Sequence, residues 1–549
     1  MEGSLILASV ALGIASHVCF NRYEPRSANT AIPILLLLPP ALLLLLHHPI
    51  TTVSVACVYV AFYVSLSASI VIYRVSPFHP LAKYPGPLVC KATKLWTLGI
   101  SIRGYHYLYL KKLHDKYGPY VRTGPNELSV IDAQAVIQIL NSGGLEKGRY
   151  FEGGRHASTP PTIVSLVGDA HTAKRRTWNR AMTSASIREY DPMLLKRTRQ
   201  LLTHLETTTE AVDIVFWFDL FALDLMGDLC FGGGFELMKE GKDKDRIGER
   251  IRTFTKASTI SGRIPWIIST LHLLPQVGKT IQEFNDFGQA LAMHRMRNGP
   301  PSGAKDMWYH LADEANLEKD RPTLESSAAD GIVAVVAASD TTASAMSSLI
   351  WFLLNHPQAY RRVREELDRV FPEDVDNVDA LCDFDRQQEL KYLSACINEA
   401  LRLHPPLPTN GGPRQVKLEE DARIIAGRVL PPGTSVYTPT YAVHRRPEYF
   451  SQPSLFLPDR WLASSTEKPR FNIANHNPAA FFPFSLGPAN CIGQRFARRE
   501  MLLVMTMLFK TFDIAFAKGF DDRQTWPEGM QDFFVATRGP LRIRVSRRT

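Results

Sequence analysis

The sequence predicts a mainly α-helical chain with a small β-sheet part, gathered into one globular body behind an apolar N-terminal segment. Three observations lead there. Helical periodicity dominates from Tyr105 to Asn410. The stretch Ser326–Asn355 is apolar nearly all round and ends at His356-Pro357, so it reads as a core-crossing helix ~45 Å long. Strand signals are short and scattered, near Tyr120–Ile131, Val416–Val429, Thr434–Thr438 and Leu541–Val545, with Pro431-Pro432-Gly433 as a turn.

The N-terminal segment holds three apolar stretches, Leu5–Phe20, Ala31–Leu46 and Ile50–Tyr73. A membrane span needs ~20 apolar residues. Only the third is clearly long enough; the first is marginal, and the second is broken by Pro33, Pro39 and Pro40. A cleaved signal peptide does not fit the first stretch, whose start carries Glu2 and no basic residue. Three spans would put Arg22, Arg26, Arg74 and Lys83 on the cytosolic side. A single third span also leaves the body in the cytosol, with Arg22 and Arg26 across the bilayer. Both readings stay open. The run Pro77–Pro87 is proline-rich and reads as a stiff connector. The expected division is residues 1–74 as anchor, 75–87 as hinge and 88–549 as the functional body. The apolar stretch Ile264–Pro275 in that body could also dip into a bilayer.

The 549 residues carry a net charge of +9. No nucleic-acid motif accompanies it, so a membrane surface and an acidic protein partner are the better fits, and nucleic acid is not expected. The seven cysteines are scattered and show no CxxC spacing, which argues against a disulfide framework and a zinc site.

Two features conflict with plain core packing. The long central stretch carries Ser339-Asp340-Thr341-Thr342 at its middle, and an acid in a buried helix is costly. Such conflicts mark functional sites. The second feature is Phe481–Glu500, FFPFSLGPANCIGQRFARRE, a tight turn, then Cys491, then a helical run from Ile492. A thiolate before a helix N-terminus is stabilised by the dipole and by backbone N–H donors. Gly487 and Gly493 would let the backbone approach a flat partner closely. One turn cysteine without a second thiol suits a single axial iron ligand.

At these residues the chain resembles the cytochrome P450 family. The pattern is Phe484-x-x-Gly487-x-x-x-Cys491-x-Gly493. Three more motifs occur in the family's order: Ala337–Thr342, then Glu399-Ala-Leu-Arg402 before His404-Pro405-Pro406, then Pro458-Asp459-Arg460-Trp461. The resemblance implies a haem b between the central helix and the cysteine loop, with Cys491 on the iron. It implies Arg414, Arg175 and His171 as holders of the haem propionates. Glu399, Arg402 and Arg460 would form a structural network, and Asp340 and Thr341 the acid–alcohol pair of the oxygen pocket. Ala334, Ala338, Thr342, Pro408, Thr409, Phe533, Phe534 and Val535 match its substrate-contacting segments. Two positions depart from the pattern: Ala338 replaces a glycine, and Ala489 stands where most relatives have Arg or His facing a propionate.

The implied activity is monooxygenation of a small lipophilic substrate with O2, a terpenoid first and a polyketide second. Electrons would come from NADPH through a separate membrane flavoprotein reductase, since no flavin or NADPH domain is visible. Arg495, Arg498 and Arg499 offer it a basic surface. The texture resembles fungal members serving secondary metabolism, at the endoplasmic reticulum with the body facing the cytosol. Two other classes remain: a haem-thiolate isomerase or dehydratase that needs no reductase, and a non-catalytic membrane haem sensor.

Overall fold

The structure, a computed structural model, describes residues 2–23, 28–153, 159–208, 210–233, 235–243, 246–267, 270, 275–300, 305–372, 380–462 and 475–548. Part of the expected bilayer-dipping stretch Ile264–Pro275 therefore lies outside the described residues; Pro265–Ile267 forms a short 3-10 turn with Trp266 exposed.

Three helices open the chain, Glu2–Arg22, Ala28–Leu45 and Thr52–Val75. Each is long and apolar enough to cross a membrane. The second runs unbroken through its prolines, contrary to the sequence expectation, because two tyrosines of the third helix bond the carbonyls those prolines leave. The third starts at a reciprocal cap between Thr51 and Ser54. The connector that follows is pinned to the body. Arg122 N–H donates to Pro85 O at 2.7 Å, and Tyr84 OH donates to Val429 O at 3.0 Å.

The body is built on the helix Leu324–Asn355, which starts where the Thr323 side chain accepts from Ser326 N–H. It packs against the nearly wholly buried helix Ile214–Phe231 and against Lys391–Leu403 and Gln494–Thr511. Phe218, Phe221, Leu349, Leu353 and Met505 fill the space between them and are at most 2% exposed. This buries most of the apolar surface of the central helix, in keeping with its largely apolar sequence.

The largest sheet has five strands in the order Tyr120–Gly124, Glu127–Val130, Ser435–Tyr437, Arg414–Gln415 and Glu146–Lys147. Its last pair is antiparallel and sets Lys147 opposite Arg414. A hairpin of Gln531–Phe533 and Val535–Thr537 turns at Phe534, and Arg542–Arg547 joins a separate three-stranded sheet. The strand signal over Val416–Val429 resolves into Arg423–Ile425 and Arg428–Leu430, because the run Lys417-Leu418-Glu419-Glu420-Asp421 is too polar and charged to pair on a buried sheet.

Candidate active site

The loop before Gln494–Thr511 delivers Cys491 to the wall of a cavity of about 710 Å³. Its backbone is tied back by a hydrogen bond from Cys491 N–H to Phe484 O at 2.8 Å. Gly487 has φ +71°, and a Cβ there would lie 2.1 Å from Leu140 O. A glycine is therefore required there by the backbone of Leu140 and Asn141. Gly493 does face the cavity, and a Cβ on it would meet nothing within 4 Å. The helix starts at Gln494 rather than Ile492. The Cys491 sulfur is accessible, but to the cavity within the protein. Burial pushes its thiol up, while the Gly493 N–H and the Arg175 charge oppose that.

Across the cavity stand Ala334, Ala338, Thr341 and Thr342 of the central helix, joined by Phe534 and Val535 of the hairpin turn. Leu407, Asn410 and Gly411 complete that side. Three residues expected in the pocket do not line it. Pro408 gives its carbonyl to Tyr441 N–H, and Thr409 bonds Asp532. Phe533 points to the other side of the hairpin, under the Lys256 ammonium at 4.7 Å from its ring. Phe534, the turn residue with φ +76°, is the phenylalanine that reaches the cavity instead.

The acid–alcohol pair is split. Thr341 lines the cavity, with its hydroxyl donating to Ala337 O at 2.8 Å. Asp340 does not line it and is half-buried beside Arg538, Arg252 and Asp219. Burial raises its carboxyl, and the two guanidinium groups oppose the rise. Burial also pushes Asp219, which pairs with Arg538 at 2.7 Å, up to about 6.

Beside Cys491 the cavity wall carries four basic side chains, Lys147, His171, Arg175 and Arg414. Arg175 donates to both Asn490 O and Asn490 Oδ1 at 2.6 Å and so grips the residue before the cysteine. Burial lowers Arg414 to about 10. Burial and the charges of Arg414 and Arg175 lower Lys147 to about 7. Burial and the other three cations lower His171 to about 4. Lys147 does not stand out in the sequence, because a two-residue strand gives no periodicity and its neighbour Arg414 is remote in the chain. Glu500 is also absent from the sequence-based reading. It is fully buried on the helix after Cys491, lines the cavity, and bonds Thr342, and burial pushes it up to about 8. An acid directly before the apolar run Met501-Leu-Leu-Val-Met505 is the available signal.

Glu399, Arg402 and Arg460 come together behind this wall, each 0% exposed. Arg402 forks onto Glu399 at 2.8 and 2.9 Å, and Arg460 Nε donates to Glu399 Oε1 at 3.0 Å. Trp461 Nε1 and Leu457 N–H complete the carboxylate's partners. Burial raises Glu399, but Arg402 and Arg460 outweigh it and hold the carboxyl below its usual range. Of the three arginines after the cysteine, Arg495 is exposed. Arg498 bonds Asn398 at 2.8 Å, and Arg499 is paired with Asp191.

A helical body with a thiol facing a central helix across a largely apolar cavity defines a class of cofactor enzyme. The sequence profile described as Cytochrome P450 matches residues 85–541. Cytochrome P450 67 of Uromyces fabae is 30% identical over 472 residues, 83% of this chain and 84% of the relative. Cytochrome P450 monooxygenase cpaH of Aspergillus oryzae is 31% identical over 486 residues, covering 86% and 90%. Tryprostatin B 6-hydroxylase of Aspergillus fumigatus is 27% identical over 482 residues, covering 86% and 82%. The chain belongs to the cytochrome P450 family and is a P450 monooxygenase. Membership implies a haem with a cysteine thiolate ligand, O2 and a redox partner.

Proposed function

We propose that this enzyme inserts one oxygen atom of O2 into a small lipophilic substrate in the biosynthesis of a secondary metabolite. The observation that carries the reading is the single cavity shared by Cys491 and Thr341. Cys491 would hold the iron of a haem b, and cation binding offsets the burial that raises a free thiol. Lys147, His171, Arg175 and Arg414 would hold the propionates. The fit rests on charge. Lys147 and Arg414 are directly opposed across two strands, and like charges there are destabilising unless an anion lies between them. No carboxylate is paired with either among the described residues. This cluster stands where Ala489 leaves one anchor missing.

When bound, the haem supplies the activation of O2. The chain's part is to shape the cavity, exclude water and move protons. Thr341 would lend its hydroxyl to the cavity by releasing Ala337 O, and Asp340 would hold a proton behind it, next to Arg538. Ala334, Ala338, Phe534 and Val535 would orient an apolar scaffold, a terpenoid first and a polyketide second. Electrons would come from an NADPH-dependent flavoprotein reductase. Residues 1–74 would anchor the enzyme at the endoplasmic reticulum, residues 75–87 would serve as hinge, and residues 88–549 would work in the cytosol. The test is expression with a reductase in a host carrying candidate scaffolds, followed by mass analysis under labelled O2. One labelled oxygen in the product is expected. A product that carries none, or that forms without NADPH, refutes the reading.

A further inference from the structure

The second N-terminal helix holds Pro39 and Pro40 in its interior. Each proline lacks the N–H that would bond the carbonyl four residues back, so Leu35 O and Leu36 O lose their helical donors. In hydrocarbon an unpaired carbonyl is costly. Two tyrosines of the third helix supply the missing donors. Tyr63 OH donates to Leu35 O at 3.1 Å, and Tyr59 OH donates to Leu36 O at 2.7 Å. The tyrosines are one helical turn apart on the same face of the third helix, and their rings stack with centroids 6.0 Å apart.

The first and third helices run parallel. A Cβ on Gly13 would lie 2.1 Å from Ser65 Oγ and 2.7 Å from Phe62 O. One turn further, His17 Nδ1 bonds Ser69 Oγ at 2.7 Å, and its ring lies 5.6 Å from Tyr73. Contacts therefore advance in the same direction along both helices. The body hangs from the end of the third helix, where Arg74 donates to Ala92 O at 2.9 Å. The start of the second helix touches the same body, since Thr270 Oγ1 donates to Asn29 Oδ1 at 2.8 Å. The second helix thus begins at the face where the third ends. A single-span anchor would put Asn29 and Thr270 on opposite sides of the bilayer.

We infer that the helices Glu2–Arg22, Ala28–Leu45 and Thr52–Val75 form a folded three-span membrane domain in which Tyr59 and Tyr63 cap the carbonyls freed by Pro39 and Pro40. The N-terminus lies across the bilayer from the catalytic body. Arg22 and Arg74 then sit on the body's side, in accord with the positive-inside rule. The inference rests on the reading of these helices as membrane-embedded.

The test uses the full chain in microsomes with a long flexible insert carrying a glycosylation acceptor. Placed between Arg22 and Ala28, the insert stays unmodified; placed between His47 and Ile50, it is modified. Modification at the first place overturns the three-span topology. Release of the protein by alkaline carbonate would instead sink the membrane reading itself. With the insert at the first place, Tyr59→Phe with Tyr63→Phe raises the ratio of modified to unmodified chain about eightfold, the combined worth of two interhelical hydrogen bonds. Adding Pro39→Ala and Pro40→Ala restores the low ratio, because the helix regains its own donors. A tyrosine effect that is absent, or that persists without the prolines, overturns the capping.

Discussion

Lys147→Met should stabilise the haem-free protein and weaken haem binding, two effects of opposite sign from one substitution. The lysine falls from 10.5 to about 7, through burial first and then the charges of Arg414 and Arg175. Holding it charged in the fold without an anion corresponds to about 5 kcal/mol, which its partial exposure reduces to about 2–3 kcal/mol. The folded state thus binds fewer protons than the unfolded chain between about 7 and 10.5. Stability rises with pH across that window. The variant's advantage should therefore be largest at and below pH 7 and should vanish near pH 10.5. In the proposed role Lys147 would instead face a propionate when haem is bound, and removing a charge-assisted hydrogen bond costs about 1.5–3 kcal/mol. Haem should pass to an excess of an apo-acceptor at least ~10-fold faster. The assays are urea unfolding of haem-free protein at two pH values and haem-transfer kinetics of the loaded enzyme. Unchanged haem retention would refute the anchoring role. Haem-free protein no more stable than wild type at pH 7 would refute the electrostatic argument.

Glu399→Gln should destabilise the body by about 3–5 kcal/mol, because it leaves Arg402 and Arg460 buried without a counter-charge; denaturant unfolding reads it directly. Thr341→Ala should leave haem binding intact but divert electrons to hydrogen peroxide. A tenfold loss of coupling needs only ~1.4 kcal/mol, read as product formed per NADPH consumed. Unchanged coupling would leave the hydroxyl only its bond to Ala337 O. Ala334→Phe should fill part of the cavity and weaken substrate binding while the haem spectrum stays the same, because Ala334 lines the wall opposite Cys491.

The sequence reveals most where periodicity or punctuation is strong. The central helix is written in a long, mostly apolar stretch, and the cysteine loop in glycine, proline and asparagine. Spacing shows only that Glu399 and Arg402 share a helix face; their network with Arg460 is read from the family resemblance. Partnerships made only in three dimensions are not readable. Lys147 acquires its role from a strand pairing with Arg414, and Glu500 from its bond to Thr342 on another helix. Pro39 and Pro40 look like helix breakers until Tyr59 and Tyr63 stand beside them. The demand that Leu140 O makes on Gly487 is hidden for the same reason, since nothing local names Leu140. Phe533, Thr409 and Pro408 depart from expectation because a segment's path does not say which of its side chains face inward.

The most direct test of the account is the spectrum of the reduced carbon monoxide complex of wild type and Cys491→Ala, prepared in parallel. The account expects the thiolate-type band in wild type and its complete loss in the variant, even if haem is still held by Lys147, Arg175 and Arg414. A variant that keeps the band, or a wild type that lacks it, would show that Cys491 is not the ligand.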